Sequence, residues 1–119
     1  MRRSVLIVDD HEGFRRWARL FLSAEGYDVV GVAEDGRTAV REVDRLRPDV
    51  VLLDIHLPDI DGFEVARRLC GGIPPSIVLI SSRDPEEFGD RIRSSCTRGF
   101  LAKADLSAAT LEAIIGDDT

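Results

Sequence analysis

The chain has 119 residues, a net charge of −6 and 44% apolar residues, a balance that fits one domain with its own core and excludes two. The acidic charge with dispersed arginines speaks against a nucleic-acid surface, and no run of about 18 apolar residues is present to span a membrane. The apolar run behind Arg2 and Arg3 stops at Asp9 and Asp10, too early for a secretion signal, so a cytoplasmic protein is expected. Cys70 and Cys96 lack metal or redox spacing and are expected to be reduced thiols that fill space.

Apolar runs alternate with helical patterns along the whole chain. "SVLIV" (4–8) is a buried strand by its continuous apolar run. The next segment, "GFRRWARLFLSAEG", places Phe14, Trp17, Ala18, Phe21 and Ala24 on one helical face, with Trp17 in the core and Gly26 as the stop. "YDVVGVA" (27–33) is a strand. "GRTAVREVDRLRP" is a helix carrying Ala39, Val40, Val43 and Leu46 inward, ended by Pro48. "VVLLD" (50–54) is a strand ending in Asp54, "LPDIDG" is turn material and "FEVARRLC" a short helix. "SIVLIS" (76–81) is the fourth strand.

In "DPEEF", Asp84 is an N-cap, Pro85 the first helical residue and Glu87 its capping-box partner. Gly89 inside that fourth helix costs it about 1 kcal/mol against alanine. "GFLA" (99–102) is the fifth strand, and Ser107 caps a last helix with Leu111, Ile114 and Ile115 inward. Five strand–helix repeats with short connections predict a doubly wound α/β sandwich whose parallel sheet is covered on both faces.

In such sheets the functional crevice lies at the carboxyl ends of the strands. Asp9 and Asp10 end the first strand, Asp54 the third and Ser81 and Ser82 the fourth, and Lys103 follows the fifth directly. Each alone is commonly a turn residue or a solvated charge; four strands delivering reactive groups to one edge is a different matter. Clustered carboxylates need a compensating cation, and hard oxygens without thiolates favour Mg2+, which leaves room for phosphate oxygens. Asp54 is then a nucleophile able to form an acyl phosphate. Lys103, the only lysine among sixteen basic residues, supplies a compact ammonium where a planar guanidinium would not fit.

These residues resemble the receiver domain of two-component response regulators. "LIVDDHEGFR" is similar to the family's acidic-pair strand, "AEDGRTAV" to the start of its second helix, "RPDVVLLDIHLPDIDG" to its phosphoacceptor strand and loop, and "GFLAKADLS" to its switch-aromatic and lysine segment. The resemblance spans roughly residues 4–115 and implies one receiver domain over 1–119, with a flavodoxin-like sheet of order 2-1-3-4-5. By motif it is nearest to receivers that carry LuxR-like DNA-binding output domains.

Residue by residue, the resemblance implies Asp54 as phosphoacceptor, Asp9, Asp10, Asp54 and the backbone carbonyl of His56 around Mg2+, and Lys103 against the phosphate. Ser81 and Phe100 relay the change to the surface of the fourth helix, fifth strand and last helix, including Ile92. The implied partners are a histidine kinase, an output domain or partner protein and a second copy of the phosphorylated chain, with no nucleic acid or membrane contact by this domain and no enzymatic activity of its own. Ala104 stands where the family often has proline, which leaves the geometry of the Lys103–Ala104 peptide open, and His56 is expected to alter phosphate lifetime. His11 is expected at the pocket rim.

Three alternatives compete. A phosphate-independent interaction module would share the fold. A Mg2+-dependent aspartate-nucleophile phosphohydrolase would need a substrate cap and a second acid two residues past Asp54, where His56 stands. A nucleotide-binding domain would need a glycine-rich loop in place of "DDHEG".

Overall fold

Four successive residues of the first apolar run, Val5 to Val8, are fully buried, which only a strand covered on both faces allows. That run is β1 (Ser4–Val8). It is followed by α1 (Glu12–Ala24), β2 (Asp28–Ala33), α2 (Gly36–Leu46), β3 (Val50–Asp54), α3 (Gly62–Leu69), β4 (Ser76–Ser81), a 3-10 segment (Pro85–Arg91), β5 (Gly99–Ala102), a 3-10 turn (Lys103–Asp105) and α4 (Ala108–Ile115). The computed structural model describes residues 2–70 and 75–116; Met1, 71–74 and 117–119, which the expected domain of 1–119 includes, lie outside the described residues. Among the described residues no helix is long and apolar enough to cross a membrane.

The strands form one parallel sheet of order β2-β1-β3-β4-β5. Since alternate side chains of a strand point to opposite faces, the sheet divides into two cores. Val5, Ile7, Leu52, Val78, Ile80 and Leu101 pack with Ala18 and Leu22 of α1 and Leu111 and Ile115 of α4. Leu6, Val8, Val51, Leu53, Ile77 and Leu79 pack on the other face with Ala39, Val65, Ala66 and Phe88. Tyr27, buried at the start of β2, donates its hydroxyl to the Glu112 carboxylate at 2.6 Å and joins that strand to α4.

Helix starts follow side-chain caps. Asp35 accepts from Thr38 N, Asp61 from Glu64 N, and Ser107 and Thr110 cap α4 reciprocally. Asp59 reaches across from the β3–α3 loop, its two oxygens accepting from Gly36 N at 2.8 Å and Arg37 N at 2.9 Å. The "LPDIDG" turn therefore also fastens the first turn of α2. Gly36 is required there, because a Cβ would lie 2.4 Å from Ile60 Cγ1.

Three expectations are corrected. Trp17 is 47% exposed rather than core: Ala18 and Leu22, four residues apart, form the inward line of α1, and Trp17 stands about 100° around the helix from Ala18, stacked on Phe21 with ring centroids 5.0 Å apart. The fourth helix is a 3-10 segment broken at Gly89, whose φ of 57° and ψ of −132° are not helical, although the Asp84–Glu87 capping box forms. Gly89 thus interrupts the helix rather than weakening its interior. Finally, Cys70 and Cys96 are joined in a disulfide with Cα atoms 5.9 Å apart. Their separation of 26 residues carries no spacing signature; the fold alone brings the end of α3 against the turn before β5.

Although burial pushes the Asp59 carboxyl up, the backbone N–H groups of Gly36 and Arg37 hold it below the ordinary 3.8, at about 2. A depressed folded value contributes stability above pH 3.8 that is lost as pH falls toward about 2. Asp59→Asn is expected to flatten the acid limb of a thermal-unfolding profile across that window; an unchanged limb would show that the contact adds no stability.

Candidate functional site

β1 and β3 are neighbours paired Val8 to Leu53, so their next residues, Asp9 and Asp54, emerge side by side at the carboxyl edge. Ser81, which ends β4, follows the pairing of Asp54 with Ile80, and Ser81 itself pairs with Ala102, so Lys103 leaves β5 at the same level. Hydrogen bonds from backbone N–H groups two residues ahead orient the side chains: His11 N to Asp9 Oδ1 at 2.8 Å, His56 N to Asp54 Oδ1 at 3.2 Å and Arg83 N to Ser81 Oγ at 3.0 Å. Asp9, Asp54 and Ser81 are the buried polar side chains of the molecule among the described residues.

The Lys103 ammonium lies 2.6 Å from Asp9 Oδ2 and 3.6 Å from Asp54 Oδ2, and 4.8 Å above the centre of the Phe14 ring. One small charge thus faces two carboxylates and an aromatic face, which a guanidinium fork could not do in the same space. The Lys103–Ala104 peptide is trans. His11, 71% exposed at the rim, places Nδ1 3.1 Å from Asp9 Oδ1 and 3.1 Å from Asp10 Oδ1. Arg15 donates to the Asp9 carbonyl at 2.6 Å. His11 packs at the rim as expected; Phe14, Arg15 and the acid-pair contacts of His11 are not signalled by the sequence pattern, since each arises from the way α1 enters behind Asp10.

Burial first, and then the Asp9 charge, push the Asp54 carboxyl above its ordinary 3.8, against the pull of Lys103 and the His56 N–H. The stability linked to that raised value is present below pH 3.8 and lost as pH rises through it, so ionised Asp54 weighs against folding at neutral pH.

A divalent cation is the natural complement of this arrangement. Asp9 Oδ2 is buried and accepts no hydrogen bond despite the nearby ammonium, and Asp9, Asp10, His11 and Asp54 each offer a ligand atom within 4.8 Å of the others. Carboxylate oxygens on two adjacent strand ends fit Mg2+. Ser82, by contrast, is exposed.

Toward the fourth-segment side, Phe88 is buried with its ring 5.6 Å from His56, 5.9 Å from Phe63 and 6.2 Å from half-buried Phe100. Phe88 therefore bridges the loop behind Asp54 to β5. In the sequence Phe88 stands only at the end of the "DPEEF" helix signal.

With the geometry of this edge established, comparison with known proteins identifies the class. Residues 5–115 match the response regulator receiver domain, and the chain belongs to that family. It is 34% identical over 104 residues to the virulence transcription regulator BvgA of Bordetella pertussis, covering 87% of this chain and 50% of that protein. The signal receiver domain of NarL from Mycobacterium tuberculosis superposes with a TM-score of 0.83 at 30% identity, covering 98% of each chain. A LuxR-family two-component response regulator from Aurantimonas superposes with a TM-score of 0.84 at 27% identity, over 97% of this chain and 86% of the other. The chain spans about half the length of the curated relatives it matches.

Gly62 closes the site from below. Its N–H donates to the Ile55 carbonyl at 2.8 Å, and a Cβ would meet the Asp54 carbonyl oxygen at 2.5 Å and Ile55 Cα at 2.9 Å. Gly62→Ala should destabilise the domain by about 1–3 kcal/mol and weaken Mg2+ binding in calorimetry, because backbone rather than a flexible side chain must yield. Asp54→Asn should instead raise the metal-free unfolding temperature, because it removes a carboxylate whose charged form burial and Asp9 disfavour, and remove most of the stabilisation that Mg2+ confers on the wild type. A lower metal-free melting temperature in Asp54→Asn would refute the electrostatic argument.

Proposed function

We propose that Asp54 is the phosphoacceptor of a switch that receives its phosphoryl group from a histidine kinase, within a single domain covering 1–119. The observation that supports this best is the buried Asp9–Asp54 pair with Lys103 set between them. A carboxylate oxygen of Asp54 attacks phosphorus, the bond from phosphorus to the donor nitrogen breaks, and an acyl phosphate forms while the donor imidazole keeps the electron pair of that bond. Lys103 would turn from Asp9 toward the phosphoryl oxygens, a small movement from 3.6 Å. Asp9, Asp10, Asp54 and the His56 carbonyl would hold Mg2+, which when bound neutralises charge on the transferring group.

Ser81 is buried one residue past the Asp54–Ile80 pairing, which supports a role in which its hydroxyl turns toward a phosphoryl oxygen. That rotation gives up the Arg83 contact and loosens the start of the 3-10 segment. Phe100 is in ring contact with Phe88, and Phe88 with His56, both pairs tilted, so a shift of the loop behind Asp54 reaches β5 through touching rings as well as through Ser81. The receiving surface comprises the 3-10 segment, β5 and α4, with Ile92 packed beneath it. A few small contacts biasing one two-state segment are what such a switch requires. We further propose cytoplasmic action, no enzymatic turnover beyond phosphoryl acceptance and release, output through a DNA-binding domain or partner protein, and pairing of phosphorylated copies.

Incubation with acetyl phosphate and Mg2+ is expected to add one phosphoryl group by intact mass, with none in Asp54→Asn and none without Mg2+. Lys103→Arg should retain the fold yet lose at least about tenfold in the rate of addition, as expected where a point charge is replaced by a fork. Absence of the adduct in a folded wild type would favour the phosphate-independent module. His56→Ala should change the half-life of the adduct; an unchanged half-life removes that role from His56.

A further inference from the structure

We propose that Cys70 and Cys96 form a reversible thiol–disulfide site, exchanging with low-molecular-weight thiols such as glutathione, whose oxidised form locks the segment before β5 against α3. The cystine joins the C-cap residue of α3 to the turn that follows the broken 3-10 segment. Both half-cystines are exposed, and exchange proceeds by attack of a thiolate on an accessible sulfur. In a compartment that keeps thiols reduced, a cystine of this kind is transient and senses the redox state.

The surroundings suit such a reaction. Cys96 shares a surface groove of about 230 Å³ with Phe63, Arg67, Arg91, Ser94 and Ser95. Arg67 pairs with Glu64 and Arg91 with Asp61, so the guanidinium charges that line the groove beside Cys96 are partly balanced. Arg91 is also fixed over the Phe63 ring at 4.2 Å.

The hydrogen bonds of Ser94 and Ser95 in the locked segment are local, running through backbone and hydroxyl to Asp90 and Ile92, at most four residues away; longer ties lie at its ends, where Ile92 packs on the core and Arg98 reaches β4 through its N–H at the Ile77 carbonyl and α4 through its guanidinium at the Ile115 carbonyl, 2.8 Å away. Cys96 lies in the stretch of chain that connects Phe88 to Phe100, the ring pair through which the proposed switch moves. Opening the cystine leaves α3 capped by Asp61 and anchored by Val65 and Ala66, so it frees the segment without unfolding the domain.

Electrons balance through glutathione disulfide. One protein thiolate attacks it and expels a glutathione thiolate; the second protein thiolate attacks the mixed disulfide and expels another. One cystine and two glutathione thiols result, with two electrons passed from protein to glutathione.

The full chain would be equilibrated in glutathione buffers from the poise of a reducing cell compartment to that of an oxidising one, alkylated, and weighed intact. A reversible transition between two alkylated thiols and none is expected, with unchanged circular dichroism. Amides of 92–98 should exchange hydrogen about tenfold faster in the dithiol form, and those of β1 and β3 equally in both; Cys96→Ser should exchange fast whatever the glutathione ratio. A cystine that survives the most reducing buffer, one that never forms, equal exchange in the two forms, or a slow-exchanging Cys96→Ser overturns the proposal. The consequence for signalling rests on the phosphoacceptor reading, so acetyl phosphate adducts are measured on both forms. No adduct in either form defeats that reading and leaves the thiol result standing, whereas an adduct with equal exchange defeats the lock alone.

Discussion

Asp9 and Asp54 are withdrawn from water at the carboxyl edge of the sheet, and the ammonium of Lys103 stands between them at 2.6 and 3.6 Å. Two adjacent buried carboxylates would be prohibitive without such a cation. The compensation is incomplete: Asp9 Oδ2 accepts no hydrogen bond, and the Asp54 carboxyl stays raised by burial and by its neighbour. A site poised in this way is stabilised by whatever positive charge enters it.

The fold serves that electrostatic problem. Parallel pairing puts the ends of β1 and β3 side by side, and each functional side chain is aimed by a backbone N–H two residues on. The loop behind Asp54 is fastened at both ends: Asp59 grips the first turn of α2, and Gly62 lies directly under the Asp54 carbonyl, where no side chain fits. Rigidity there contrasts with the segment after β4, where Gly89 breaks the helix and short local bonds dominate. A firmly held carboxylate beside a segment of mostly local bonds is the physical form that the proposed switch requires.

Three rings connect those two regions. Phe88 touches His56 on one side and Phe100 on the other, and the cystine of Cys70 and Cys96 fastens the intervening turn to α3. The proposed phosphoryl site at the edge and the proposed thiol site at the surface therefore border one stretch of chain. On the opposite side, Phe14 lies under Lys103 and in contact with Trp17, so α1 also touches the site.

The five strands were legible from the sequence alone, because apolar runs of four to six residues between turn and helix signals are too short for buried helices. The same reading placed Asp9, Asp10, Asp54, Ser81 and Lys103 at one edge, since strand ends in a parallel sheet must share it. Local caps at Asp35, Asp61, Asp84 and Ser107 depend on near neighbours, and of these Asp84 and Ser107 carry a sequence signal. What periodicity could not supply were contacts set by packing between distant elements. Trp17 was misplaced because the inward line of α1 is chosen by the sheet it meets, and Asp59, Phe88 and Phe14 acquire their roles only when loops and helices converge. The cysteines show this most plainly: 26 residues apart and read as separate thiols, they meet because the sheet order lays the end of α3 beside the turn into β5, a proximity that no local pattern in a chain can encode.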